Sequence, residues 1–312
     1  MSFIFFRYLY KSTIDVYGNI KGDNIQNISI SDNIYHKRIS PAYESSYIAA
    51  PSDTEIPKGI TIYSKSFAVF NLTKEMTIFG HNTNEKIYPA STTKLLTALV
   101  AAKYGDFNKK YTVSHHALEI NKHSSKANLK EGDKVTLNQL IAGMLIPSGN
   151  DAAVALAEAV AGNEKEFINL MNETAKEIGV KNSNFETVNG LHKDNHYTTA
   201  FDMHLITREA IENPTLLKIL SKKSYTTKIT DKYDRKREVT WKNTNLFESG
   251  DFKLPKNYTL IGGKTGNTDE AKRCLVLITK NKNDEIILTE VFGVKSRDNV
   301  YRLTKKLLKS IK

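Results

Sequence analysis

The chain has 312 residues, enough for one large domain or two smaller ones, and its 40% hydrophobic and 25% charged residues are those of an ordinary folded protein. A net charge of +11 favours anionic surroundings such as a membrane or wall surface, but the lysines are spread along the chain rather than clustered with aromatics, so nucleic acid is not an expected partner. The single cysteine, Cys274, excludes an intramolecular disulfide and any multi-cysteine metal site.

In chain order, residues 1–10 are apolar but interrupted by Arg7, too short for a signal-peptide core or a bilayer span. Residues 11–57 are polar and without period, so residues 1–57 read as a poorly ordered leader and 58–312 as the folded domain. Ile60–Phe70 and Met76–Phe79 alternate as strands. Pro89 precedes an apolar run that reads as a helix from Ser91 to Tyr104, stopped by Gly105. Leu95, Leu96, Ala98, Leu99, Val100 and Ala102 leave it almost no polar face, which predicts burial. A polar connection, Asp106–Asp133, holds His115, His116 and His123. Helices are expected over Val135–Ile146, Ala152–Ala161 (capped by Asp151), Glu164–Ile178 and Phe201–Ile211. Beyond them the period shortens. Ser224–Ile229 and Glu238–Trp241 read as a polar hairpin, and Tyr258–Lys264, Arg273–Thr279 and Glu285–Phe292 as core strands. Residues 296–311 form a closing helix whose Val300, Leu303, Leu307 and Leu308 share one side. Its basic residues also suit a membrane anchor, but a last core helix explains the same period.

Ser91 and Lys94 are three apart, so on a helix their side chains share a face. A hydroxyl beside an amine in a dry site is a nucleophile with its own base, and a helix N-terminus favours a developing anion. Taken alone, the pair also fits an N-cap followed by a surface lysine. A second motif is Pro147-Ser-Gly-Asn150, on a loop between two apolar helices. Its Ser148 and Asn150 can offer a proton-relaying hydroxyl and a substrate-binding amide. A third, Gly262-Gly-Lys-Thr-Gly266, ends a strand. Its glycines admit a substrate backbone, and Lys264 and Thr265 suit a carboxylate. It is not a phosphate-binding P-loop, because the spacing is wrong and a strand follows.

Ser-x-x-Lys, Ser-x-Asn and Lys-Thr-Gly in that order resemble the signature of penicillin-binding proteins and serine β-lactamases. Tyr88-Pro-Ala-Ser-Thr-Thr-Lys94, residues 124–135, Leu145-Ile-Pro-Ser-Gly-Asn-Asp-Ala-Ala153, Asn189-Gly-Leu191 and residues 196–203 resemble the D-alanyl-D-alanine carboxypeptidases, low-molecular-weight penicillin-binding proteins that are S11-type serine peptidases. The resemblance runs from about residue 60 to the end. It implies an α+β fold, a mainly antiparallel sheet flanked by helices with an adjoining helical lobe. It also implies removal of the terminal D-Ala from peptidoglycan stem peptides through an acyl-enzyme, with β-lactams as inhibitors and no cofactor or metal. By the same resemblance Ser91 is the nucleophile and Lys94 its base, while Ser148 and Asn150 relay a proton and orient substrate. Lys264, Thr265, Gly266 and Asn267 bind the substrate, with the amides of Ser91 and Asn267 as oxyanion hole. Members act outside the cytoplasmic membrane, so a cell-envelope location is expected despite the unclear signal peptide.

Some positions depart from the family. Thr187-Val188 replace a frequent Asn-Pro, and Lys272 stands where a Gly often follows Ala271. The C-terminal β-rich domain and anchor of many relatives are not expected. Relatives often carry an Arg in the segment leading into the last helix. That position is Val300 here, and Arg297, one turn earlier, is expected to take the carboxylate instead. No His-Glu-x-x-His exists, so His196 reads as structural rather than zinc-binding, and Asp202 as a cap or brace for the next helix. A β-lactamase would need a Glu to activate the deacylating water, for which Glu186 is the candidate. A non-catalytic wall-binding or β-lactam-sensing protein is the third class, disfavoured by the three intact motifs.

Overall fold

The computed structural model describes residues 54–311. Most of the expected leader lies outside them. Thr54 is described, and it pairs with Gly80 by two hydrogen bonds, its amide to the Gly80 carbonyl at 2.9 Å and the Gly80 amide to Thr54 Oγ1 at 2.8 Å.

The main sheet is antiparallel, in the order β2-β1-β9-β8-β7. Its strands are β1 (Ser66–Asn71), β2 (Met76–His81), β7 (Tyr258–Thr268), β8 (Lys272–Asn281) and β9 (Ile286–Val294). Side chains alternate across it, as strand geometry requires. Phe67, Val69, Leu275, Leu277, Ile287 and Val291 face one way, onto the last helix, α8 (Arg297–Ser310). Val300, Leu303, Leu307 and Leu308 of α8 are buried there, so the closing helix is a core helix. Each such leucine contributes roughly 1.5–3 kcal/mol on burial. Phe70 faces the other way and stacks on His204 at 4.2 Å between centroids.

His204 lies on α5 (Ala200–Glu212), which packs beside α1 (Lys94–Tyr104). Around α1 stand α2 (Leu137–Leu145), α3 (Asn150–Ala161) and α4 (Glu164–Glu177), followed in the chain beyond α5 by α6 (Pro214–Leu220). A second sheet, β3-β4-β5-β6, edges this helical lobe. It comprises β3 (Lys110–Thr112), β4 (Lys134–Thr136), β5 (Ser224–Thr230) and β6 (Lys236–Lys242). The short helix α7 (Leu246–Ser249) then leads back to β7.

Of the boundaries that differ from the sequence reading, β7 runs on through the third motif to Thr268, and three others have a clear local cause. Ile60, Ile62 and Tyr63 pack on the α8 core, but the β1 ladder begins only at Ser66, opposite Phe292. Val135 belongs to β4 rather than to a helix, because Thr136 caps α2 in a capping box with Gln139. Asp151 is not the cap of α3. Gly149 holds that position, and the Asp151 carboxylate accepts instead from the amides of Ala127 (2.7 Å), Ala152 (2.9 Å) and Leu129 (3.1 Å).

Candidate active site

The apolar run after Pro89 enters α1 through a 3₁₀ turn, Ala90–Thr93, so Ser91 lies just before the α-helix rather than at its first residue. Ala90 is left-handed at φ 49°, a costly conformation for a non-glycine residue. Two glycines enforce the turn. A Cβ on Gly190 would stand 1.9 Å from the Ala90 carbonyl oxygen, and one on Gly266 would stand 2.9 Å from that of Pro89. The turn is thus clamped between the Asn189-Gly190-Leu191 loop and β7.

Lys94 is fully buried at the first turn of α1. Its Nζ is 2.8 Å from Ser91 Oγ, 2.7 Å from Asn150 Oδ1 and 2.8 Å from the Asn189 carbonyl oxygen. Burial first, and then the charge of Lys264, push its pKa well below the usual lysine value, while Asp151 acts the other way. A neutral amine has two N–H bonds and one lone pair. As an ammonium, Lys94 donates to Ser91 Oγ and to the two carbonyl oxygens; in the neutral form the carbonyl oxygens would keep the two N–H bonds and the lone pair would be left to accept from the Ser91 hydroxyl.

The second motif faces the third. Ser148 is left-handed at φ 62°, and its Oγ accepts from Lys264 Nζ at 2.8 Å. Lys264 also donates to the Thr265 carbonyl at 2.8 Å, and burial brings its pKa down to about 7. The Thr265 hydroxyl is 2.6 Å from that of Thr244, on the segment entering α7. Gly266 lies against the Pro89–Ala90 turn, and Asn267 follows it at the exposed end of the motif. Arg297 stands at the start of α8, exposed, and forms no hydrogen bond to these groups among the described residues.

The supporting shell contains residues that motif spacing does not reveal. The Asn189 carbonyl is one, with only the Asn-Gly-Leu triplet to point to it, and Thr244 is another, without any signal. Asn150 Nα–H donates to the Ser125 carbonyl at 2.8 Å, and Trp241 Nε1–H to that of Ala127 at 2.8 Å, so the β5–β6 hairpin holds the loop beside the second motif. His196 is structural, as expected. Its Nδ1 accepts from the Glu186 and Thr187 amides at 2.9 and 3.2 Å, its Nε2 lies 2.9 Å from Thr93 Oγ1, and burial lowers its pKa to about 4. Asp202 does not cap the helix that follows: it lies in the first turn of α5, whose cap is Thr199, and its carboxylate instead braces residues 182–183, accepting from the Asn182 amide at 2.8 Å and Ser183 Oγ at 2.6 Å. The Glu186 carboxylate is not among the hydrogen-bond partners of Ser91, Lys94 or Asn150.

An antiparallel sheet backed by α8, with a helical lobe carrying Ser91 and Lys94 against its edge strand, is the fold of penicillin-binding proteins and DD-peptidases. The crystal structure of the Streptomyces K15 DD-transpeptidase matches with a TM-score of 0.75 at 29% identity, covering 80% of this chain and 97% of that one. Penicillin binding protein 5 from Haemophilus influenzae matches with a TM-score of 0.71 at 30% identity, covering 82% of this chain and 72% of that one. A family model described as D-alanyl-D-alanine carboxypeptidase matches residues 50–296, and the chain belongs to that family of serine peptidases. D-alanyl-D-alanine carboxypeptidase DacF of Bacillus subtilis is 35% identical over 238 residues, which are 74% of this chain and 57% of that protein. The D-alanyl-D-alanine carboxypeptidase of Streptomyces sp. strain K15 is 35% identical over 211 residues, 64% of this chain and 70% of that one. The match thus spans little more than half the length of DacF.

Proposed function

We propose that this chain is a serine-type D-Ala-D-Ala carboxypeptidase acting on peptidoglycan stem peptides and inhibited by β-lactams. The observation that carries this reading is the buried Lys94 amine, held by two carbonyl oxygens and turned to Ser91. Ser91 Oγ attacks the carbonyl of the terminal peptide bond while its proton passes to neutral Lys94 Nζ. The amides of Ser91 and Asn267 receive the oxyanion, each contributing about 3 kcal/mol to lowering the barrier. Ser148, held by Lys264, relays a proton to the departing D-Ala amine, giving up its own and taking one back from protonated Lys94, and water then releases the acyl group and restores the Ser91 hydroxyl. Asn150 orients both Lys94 and the substrate backbone. Lys264 and Thr265 face the terminal carboxylate, which on binding favours the charged form of Lys264.

This reading places the protein at the cell wall, outside the cytoplasmic membrane, where its net charge of +11 suits anionic polymers or lipid. No described helix is long and apolar enough to cross a membrane. The β-lactamase reading is disfavoured because the Glu186 carboxylate forms no hydrogen bond with Ser91, Lys94 or Asn150 among the described residues, so the penicilloyl adduct should persist. The test is incubation with diacetyl-Lys-D-Ala-D-Ala and detection of free D-Ala. Release by the wild type, lost in Ser91→Ala, supports the proposal. Rapid repeated turnover of nitrocefin, lost in Glu186→Gln, would replace it with the β-lactamase reading.

A further inference from the structure

When charged, Lys264 has three N–H donors, of which Ser148 Oγ and the Thr265 carbonyl take two, so it can offer a terminal carboxylate one hydrogen bond and cannot pair with both of its oxygens. A half-buried carboxylate is best matched by a guanidinium, which can pair with both oxygens. Val300, at the helix position where relatives often carry an Arg, is 3% exposed and packed into the α8 core. Arg297 is exposed at the first turn of α8.

Arg273 is placed differently. It is the second residue of β8, directly opposite Asn267 of β7, and Leu275, two residues on, is opposite Thr265. Strand alternation puts Arg273, Asn267, Leu275 and Thr265 on one face of the sheet. Arg273 and Thr265 are diagonal neighbours on that face, a separation that a long side chain spans. On its other side Arg273 pairs with Val294, which lies with Leu275, Val300 and Tyr301 in the core under α8. Arg273 is only partly exposed and forms no ion pair among the described residues. Its charge and that of Arg297 both act on the Tyr301 phenol, whose oxygen accepts from the Leu246 amide. Leu246 is two residues from Thr244, the partner of the Thr265 hydroxyl. Arg273 therefore stands where the Thr265 end of the third motif meets the N-terminal part of α8.

We propose that Arg273, on the strand next to the third motif, is the guanidinium that binds the substrate's terminal carboxylate together with Thr265, in place of an arginine on the last helix. The inference rests on the carboxypeptidase reading for its substrate. It makes Arg273 a specificity determinant, because a substrate lacking the carboxylate gains nothing from it.

The test compares kcat/KM for diacetyl-Lys-D-Ala-D-Ala with that for the same peptide ending in D-alaninamide. The enzymes are the wild type, Arg273→Ala, Arg273→Gln, Arg297→Ala and, as a charge control on the exposed face of α8, Arg302→Ala. Thermal unfolding of each variant checks its fold. Loss of a charge-assisted pair predicts a fall of about 10- to 100-fold on the carboxylate peptide in both Arg273 variants. The amide peptide should be unchanged, so the ratio collapses, while Arg302→Ala keeps the wild-type ratio. A wild-type ratio in Arg273→Ala and Arg273→Gln, or an equal fall on both peptides, would overturn the assignment, and a collapse confined to Arg297→Ala would transfer it to that residue. If the wild type cleaves neither peptide, the carboxypeptidase reading fails on its own. The Arg273 assignment is then decided by the ratio of acylation rates with benzylpenicillin and its methyl ester, which must collapse in the Arg273 variants.

Discussion

At the scale of single residues, the chemistry turns on which charges face Lys94. Lys264 favours the neutral amine and Asp151 the charged one. An opposite charge stabilises the protonated form, so removing the Asp151 carboxylate must lower the Lys94 pKa further. In Asp151→Asn the acid limb of the penicillin acylation profile should therefore move to lower pH, measured by rapid quench and intact mass. A limb that stays or moves up would show that Asp151 acts only by holding residues 127–129. The sequence makes Ser91, Lys94, Ser148, Asn150 and Lys264 legible, because fixed spacings on a helix, a loop and a strand carry them. It hides the Asn189 carbonyl and Thr244, since a backbone oxygen has no residue type and a lone threonine has many uses. It also directs attention to Arg297 through helix alignment, whereas cross-strand register, which only the pairing of β7 with β8 supplies, brings Arg273 beside the motif.

Among the elements, the long periodic ones were readable and the short ones were not. The buried α1 and the amphipathic α4 and α8 follow from their apolar spacing. Three-residue strands such as β3 and β4 have too few positions to show a period. The 3₁₀ turn under Ser91 is a tertiary effect, forced by Gly190 and Gly266 against the Ala90 and Pro89 carbonyls. Replacing Gly190 by Ala should thus cost acylation at least about 100-fold, since a displacement of about 1 Å at a reacting group has that effect. Near-normal acylation in that variant would mean the turn does not depend on the clamp. Helix α8 lies on the far face of the sheet, so Leu303→Ala should destabilise by about 2–5 kcal/mol in chemical denaturation. Its acylation rate should stay that of the wild type, and a parallel loss of rate would tie α8 to the site beyond Arg273.

For the molecule as a whole, one buried carboxylate links stability to pH. Glu290 of β9 is fully buried, with the Thr207 hydroxyl 3.5 Å from Oε1, and burial raises its pKa well above the ordinary 4.5. The folded state then binds more protons than the unfolded one above pH 4.5. Its contribution is fully present below that pH and is lost at about 1.4 kcal/mol per unit as the pH rises toward the folded-state value. Glu290→Gln should accordingly gain on the wild type in Tm as the pH is raised from 5 to 8, and a pH-independent difference would mean Glu290 is ionised in the fold. The central claim concerns the meeting of sheet and helical lobe, where a buried amine activates Ser91. Its most direct test is the pH dependence of benzylpenicillin acylation, followed as one adduct by intact mass. The wild type should label at Ser91, with a rate that rises through a pKa far below that of free lysine, and neither Ser91→Ala nor Lys94→Ala should label. An adduct in Ser91→Ala, or wild-type labelling in a folded Lys94→Ala, would contradict it.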